Sequence, residues 1–350
     1  MLTEPQPIAA RDDMGVDLPP ATTRDRFGAL RAARWLTGLA YVVVFVQQYR
    51  AKGFPFDRER VLLWIVGGLL ISTVGRSWRR AVQILIDWFP FAVLVYAYDY
   101  TQSIAQELGV PVLVRPVVVV ERVLFLGMVP SVWLQQRLLA PEGSRASWWE
   151  LGVSIVYASH FIVPYALAGV LWWRSRAQWK HWVLRFMTLS LGACLTFALL
   201  PTAPPWFASD SGVIGAVSRP AGRGWTRIGF YAAPQLLTWG RDHANPYAAV
   251  PSLHAAYAFL VAFFLYRMIG HGRVRALLFL YPMAMAFALV YAGEHYVIDV
   301  LLGFGYAAVA MAAGSRLERW WGRRRRSRRF PGRAAVALPR AGPTSTIGRP

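Results

Sequence analysis

Pro251-Ser-Leu-His-Ala-Ala-Tyr-Ala-Phe-Leu-Val-Ala-Phe-Phe-Leu-Tyr-Arg267 opens on a helix-starting serine and a histidine, then runs apolar to its closing arginine. About 20 residues of this character cross a hydrocarbon core roughly 30 Å thick. An ionisable group at the mouth of such a helix is costly, which marks His254 as functional rather than incidental. The pattern returns one helical hairpin later, where Gly293-Glu-His-Tyr-Val-Ile-Asp299 opens another apolar stretch. Together the two runs predict an all-α, polytopic membrane helix bundle that carries both polar mouths at one end.

Composition agrees. The chain has 350 residues, of which 56% are hydrophobic and only 16% charged, with a mean hydropathy of +0.35. Soluble domains average about a quarter charged residues. The net charge of +20 gathers in short loops and in a tail holding Arg323 to Arg326, Arg328 and Arg329. An arginine run just beyond a membrane helix reads as topology and anionic-headgroup contact, so membrane lipids and not nucleic acid are the expected partner. Cys194 stands alone, so no disulfide within the chain is expected. No cleavable signal is expected either, because the polar first 25 or so residues lead into no apolar core at the required distance.

Apolar segments predict about eight spans, near 34–49, 60–75, 79–98, 149–173, 181–201, 252–270, 274–292 and 295–314. Arg76, Arg79 and Arg80, then Arg174, Arg176 and Lys180, then Arg267, Arg273 and Arg275 fill short alternate loops. The positive-inside rule therefore places both termini in the cytoplasm and the 99–148 and 202–251 loops outside, in a cell-membrane protein. The interrupted apolar piece from Val110 to Leu126 reads as interfacial or re-entrant. Four regions follow: a disordered tail at 1–25, N-terminal helices with the interfacial segment at 26–148, a catalytic core at 149–315 and a basic disordered tail at 316–350.

The chemistry rests on two short patterns. His295 and Asp299 are four apart on a helix and share a face. A carboxylate on one ring nitrogen fixes the tautomer and makes the other nitrogen a better base or nucleophile. Taken alone, the pair equally suits a buried histidine tying two helices together. Ser252 is a natural N-cap, and the free N–H groups at Leu253 and beyond make an anion site over which His254 can donate a proton to a leaving oxygen. Taken alone, that is plain helix capping. The same-side placement of both patterns favours catalysis. His160 and His181 have no identifiable partner and read as structural.

These residues resemble the type 2 phosphatidic acid phosphatase superfamily over roughly 149–314. The family's Pro-Ser-x-His motif matches Pro251 to His254, and its closing His-x3-Asp matches His295 and Asp299. The resemblance implies a six-helix membrane core. It also implies His295 as the nucleophile forming a phosphohistidine, Asp299 orienting it and His254 protonating the leaving group. Pro204-Pro-Trp206 with Ser-Leu-His and His-Tyr-x-x-Asp is similar to the branch containing inositol phosphorylceramide synthases and their bacterial relatives. Two departures stand out. Ala288 and Leu289 occupy the Ser-Arg positions that precede the nucleophile in the family. The Lys-x6-Arg-Pro motif is also missing before the Pro-Ser-x-His loop, where Leu200-Pro-Thr-Ala-Pro-Pro-Trp206 stands. Arg115-Pro116 falls two spans early, with Leu108 in the lysine place.

A phosphoryl group needs cations on its equatorial oxygens. Arg241, in the loop feeding the helix start, is the first candidate, with Asn245 four residues on as a further expected phosphate contact. Arg122, beside Glu121, is the second, with Arg115, Arg223 and Arg227 behind them. The expected activity is a lipid-phosphate phosphatase or headgroup phosphotransferase at the outer leaflet, using a lipid-linked phosphate, water or an alcohol acceptor, and no cofactor or metal. The alternatives are a transporter or lipid-binding scaffold with a His/Asp proton relay, and a metal-dependent hydrolase ligated by His254, Glu294, His295 and Asp299. The second lacks any His-Glu-x-x-His pattern.

Overall fold

A computed structural model describes residues 23–52, 58–141, 143–231 and 245–329. Among them no strand forms. Isolated bridges join Leu113 to Thr202 and Thr202 to Ala248, drawing three loops together at one end. The helices are α1 (Thr23–Lys52), α2 (Arg58–Ile71), α3 (Trp78–Glu107), α4 (Arg115–Leu124), α5 (Pro130–Leu138), α6 (Trp148–Ser159), α7 (Val163–Arg174), α8 (Arg176–Leu199) and α9 (Pro205–Asp210). A 3-10 segment (Pro220–Ile228) follows, then α10 (Leu253–Met268), α11 (Gly272–Leu278), α12 (Leu280–Tyr291) and α13 (Val297–Arg329).

Helices stand at all eight expected spans, but the count of eight does not follow from them. By length and composition α3, α8, the α11–α12 rod and α13 can each cross a membrane, and α6 with α7 makes a fifth if its 53° bend is one broken span. The α10 helix is apolar but only 16 residues long. α2 has 14 residues, and α1 falls short in apolar content. The Val110 to Leu126 piece holds one short helix, α4, and Leu126 and Gly127 in the left-handed region (φ 54° and 92°) separate it from α5. α13 stays helical through Arg329, past position 316 where a disordered tail was expected. The rest of both expected tails lies outside the described residues.

The bend between α6 and α7 has a plain cause. Pro164 has no N–H, and its ring collides with the carbonyl four residues back, that of His160. The helix stops at Ser159 and restarts at Val163.

α8 lies in the middle, packed on α3, α7, α10 and α13. Its Trp182, Phe186, Leu189 and Phe197 form the core with Leu260 and Phe264, while Leu191, Leu195 and Leu199 are exposed. That inversion suits a lipid surround, where outward apolar side chains meet acyl chains. Among the described residues, polar links across the bundle include Ser190 to the Tyr257 hydroxyl at 2.6 Å, Thr196 to the Tyr306 hydroxyl at 2.7 Å and Ser159 to the Tyr281 hydroxyl at 2.8 Å. Ion pairs mark the end remote from the two mouths, with Asp87 on Arg176 and Glu318 on Arg185 and His181. His181 therefore has the structural partner its sequence position left open.

One close approach sets the geometry of the opposite end. A Cβ on Gly303 would lie 2.5 Å from the carbonyl oxygen of Ser252, so α13 meets the start of α10 backbone to backbone.

Candidate active site

Ser252 caps α10, its hydroxyl accepting the Ala255 N–H at 3.3 Å. Its own N–H donates to the carbonyl of Asp299 at 3.0 Å. That bond and the Gly303 contact lock the two mouths together. His254 and His295 consequently meet with ring centroids 5.5 Å apart, inclined at 60°. Behind His295, Asp299 is fully buried, with Oδ2 3.5 Å from Nδ1 of the imidazole. That gap is slightly longer than a hydrogen bond, as is common in sites without a bound ligand. Asp299 Oδ2 also accepts the N–H of Tyr296 at 2.8 Å, which fixes the carboxylate.

The turn carrying His295 is held from several sides. Gly293 takes φ 67°, and a Cβ there would strike Val217. Its carbonyl accepts the Trp206 N–H at 3.1 Å. Gln135 donates to the carbonyls of Tyr291 and Ser218 at 2.7 and 2.9 Å. Glu294 takes a bidentate grip from Arg219, at 3.2 and 2.9 Å, and the Arg219 guanidinium lies 4.3 Å above the Trp206 ring.

Glu121 completes the frame. Its carboxylate accepts the N–H groups of Val297 and Ile298 at 2.9 and 3.2 Å, capping α13 from α4. A carboxylate at a helix start also meets the positive end of the macrodipole. Burial nevertheless pushes the Glu121 carboxyl above the usual range, against those two N–H bonds.

His254 lies in a ladder of rings drawn alternately from α6 and α10. It stacks on Tyr157 at 5.2 Å and on His160 at 3.8 Å, and His160 stacks on Tyr257 at 5.4 Å.

Of the residues picked from sequence, Ser252, Leu253, His254, His295 and Asp299 come together at one end. Arg122 stays on the exposed face of α4, near Tyr296 and 3.4 Å from the carbonyl of Val213. Asn245 is turned away into a structural link, donating to Thr101 at 3.0 Å and accepting the Tyr247 N–H at 2.9 Å. Arg223 serves Glu150 and the Ala140 and Ser144 carbonyls, and Arg227 covers Trp148. Arg241 lies outside the described residues. No group of three or more His, Cys, Asp or Glu side chains is clustered as for a metal ion among the described residues.

Sequence reasoning passed over Arg219 and the capping role of Glu121, and it read His160 as structural without its contact to His254. The signals were present: Glu294 is a charged residue beside the nucleophile candidate and needs a counterion, and Pro164 points to a break at His160. Beside the site, an apolar cavity of about 400 Å³ lies between α5, α12 and α13, with Met128, Trp133, Ala286, Val290, Val297 and Val300 in its wall.

Comparison with known proteins supplies the family. The sequence profile of the PAP2 superfamily matches residues 115–313, which takes in α4 and α5 ahead of the expected 149–314 stretch. The chain is 29% identical over 260 residues to the phosphoinositol dihydroceramide synthase of Bacteroides thetaiotaomicron, covering 71% of this chain and 82% of that protein. It is 24% identical over 239 residues to the inositol phosphorylceramide synthase catalytic subunit aur1 of Schizosaccharomyces pombe. That match covers 67% of this chain and 53% of the yeast protein. Both names fall in the branch the motifs resemble. No solved structure matches the chain.

Proposed function

The chain belongs to the PAP2 superfamily, a multi-pass membrane protein, and on that premise we propose that it transfers a phosphorylated polyol headgroup between lipids at the outer leaflet. The headgroup is a phosphoinositol and the acceptor a ceramide-type hydroxyl, as the names of both relatives suggest, and the donor in this proposal is a glycerolipid carrying that headgroup. The observation that carries this reading is the meeting of two imidazoles with ring centroids 5.5 Å apart, His254 on the first turn of α10 and His295 on the turn just before α13 rather than within the helix, with a buried carboxylate behind His295.

The steps follow from those groups. Asp299 faces Nδ1 of His295, leaving Nε2 to attack phosphorus. The bond from phosphorus to the diacylglycerol oxygen breaks as the nitrogen–phosphorus bond forms, and His254 gives its proton to the departing oxygen. The acceptor hydroxyl then attacks the phosphohistidine, returns a proton to His254 and frees His295. The cation duty falls to Arg219 and Arg122, which flank His295 through its neighbours Glu294 and Tyr296. The apolar cavity beside α13 suits a hydrocarbon chain.

Loop charge supports the orientation: Arg76 to Arg80, Arg174 to Lys180 and Arg267 to Arg275 gather at the end remote from the histidines. Labelling of Ser211→Cys by an impermeant maleimide on intact cells tests it, and labelling only after permeabilisation refutes it. For the activity, the full chain in proteoliposomes receives the donor with and without the acceptor. New headgroup lipid made only with the acceptor is expected, and its loss in His295→Ala. Release of free headgroup phosphate alone replaces transferase by phosphatase. Turnover retained by His295→Ala removes the covalent scheme.

A further inference from the structure

His160 has no place in the two-histidine scheme, yet it is the ring in closest stacking contact with His254. It sits where the span breaks, with Pro164 four residues on, and it is only 6% exposed. Irregular backbone at membrane depth is tolerated where protein buries it or where it lines a polar site. The break turns the last ring of α6 onto α10, and the rungs then alternate: Tyr157, His254, His160, Tyr257. The lower rung is fixed, because the Tyr257 hydroxyl bonds Ser190 at 2.6 Å and its ring stacks on Phe186 at 4.6 Å. Tyr157 itself is buried. His254 is thus slotted between two flat rings, which leaves rotation about its Cβ–Cγ bond little room.

From this geometry we infer that His160 is a positioning residue, a flat wall that aims the His254 imidazole at the oxygen leaving or attacking at His295. It acts through its ring face rather than through its nitrogens, and it touches neither substrate nor phosphorus. The inference rests on the transferase reading for its kinetics but not for its geometry.

The test uses the full chain in proteoliposomes, with His160→Phe, His160→Leu and His160→Ala. Phe keeps a flat ring, Leu fills comparable volume without one, and Ala removes the wall. Misaiming a proton donor by about 1 Å costs up to a hundredfold, so Leu and Ala are expected to lose ten- to a hundredfold in kcat, with KM within about twofold. Phe is expected to stay within about threefold of the parent. In a His254→Ala background His160→Leu should cost nothing further, since the two act as one unit.

A second readout needs no turnover: carbethoxylation of His254 by diethyl pyrocarbonate, followed by mass spectrometry. It should speed up several-fold in the Leu and Ala variants and stay unchanged with Phe. Leu behaving like the parent in both readouts overturns the inference. So does Phe failing as badly as Leu, which would assign the role to the nitrogens, and so does an undiminished Leu penalty without His254. If the parent transfers no headgroup at all, the functional reading falls, and carbethoxylation alone decides the wall.

Discussion

Replacing Gly303 by alanine should separate activity from stability. The new methyl would sit 2.5 Å from the Ser252 carbonyl oxygen and 3.3 Å from the Ala256 nitrogen, both rigid backbone at the start of α10. An ordinary carbon contact lies near 3.5 Å, so α13 and the α10 start must part by something on the order of 1 Å. The hydrogen bond from Ser252 N–H to the Asp299 carbonyl, 3.0 Å long, spans the same seam and lengthens with it. Overpacking of this kind costs about 1–3 kcal/mol, while alanine returns about 1 kcal/mol of helix propensity. The fold should therefore survive with a small drop in Tm. Catalysis has no such compensation, because His254 rides on one side of the seam and His295 with Asp299 on the other. A displacement of about 1 Å between reacting groups can cost a hundredfold, so a ten- to hundredfold loss of kcat is expected. Gly305→Ala is the control, since its Cβ meets nothing within 4 Å. The assay is headgroup transfer in proteoliposomes with thermal unfolding measured alongside. Parent-like kcat in Gly303→Ala would show that this contact does not set the histidine geometry.

His295→Ala should abolish transfer in a protein that still inserts and melts normally, and Asp299→Asn should cut kcat by about a hundredfold or more through loss of the orienting charge; near-parent kcat in the asparagine variant would deny Asp299 that role. Glu121→Ala strands the Val297 and Ile298 N–H groups and should cost about 1–2 kcal/mol, read as a lowered unfolding temperature; an unchanged melt would mean that the cap is idle. Arg219→Lys loses both the bidentate fork and the stacking on Trp206, so KM for the donor should rise roughly tenfold, and lysine performing as well as arginine would rule out that geometry.

The bundle was legible because lipid imposes a simple rule: spanning segments must be long, apolar and helical. That His254, His295 and Asp299 come together was legible for a related reason. His254, His295 and Asp299 interrupt apolar sequence, where polar groups need a purpose, and a hairpin spacing returns them to one side. What escaped the sequence depends on contacts between distant segments. Glu121 lies far before Val297 in the chain, and nothing local shows that its carboxylate ends on the N–H groups of α13. Asn245 seemed suited to an anion because it precedes the helix start, yet an Asx-type bond to Tyr247 and a bond to Thr101 absorb it. The count of eight spans is not confirmed for a different reason. Hydropathy windows found α1 and α2 but overstated how much apolar helix each contains, because their ends carry charge and a turn begins after Ile71.

The departures from the family pattern become intelligible in the packing. Leu289 stands where a cation is usual and is fully buried, in a cluster with Tyr157, Ala255 and Val300. Ala288 is equally buried, against Val153 and Tyr291. That face of α12 is committed to the aromatic ladder beside His254, and an arginine there would have to bury its charge among rings without a partner. The positive charge beside His295 comes instead from Arg219, in the connection after α9. Arg219 is stacked on Trp206 and tied to Glu294, and the same tryptophan bonds the carbonyl of Gly293. The Pro-Pro-Trp corner, Arg219 and Glu294 therefore work as one assembly around the turn that presents His295. On this reasoning Trp206→Ala should reproduce the donor-KM defect of Arg219→Lys, and combining the two changes should add little, because both remove the same support.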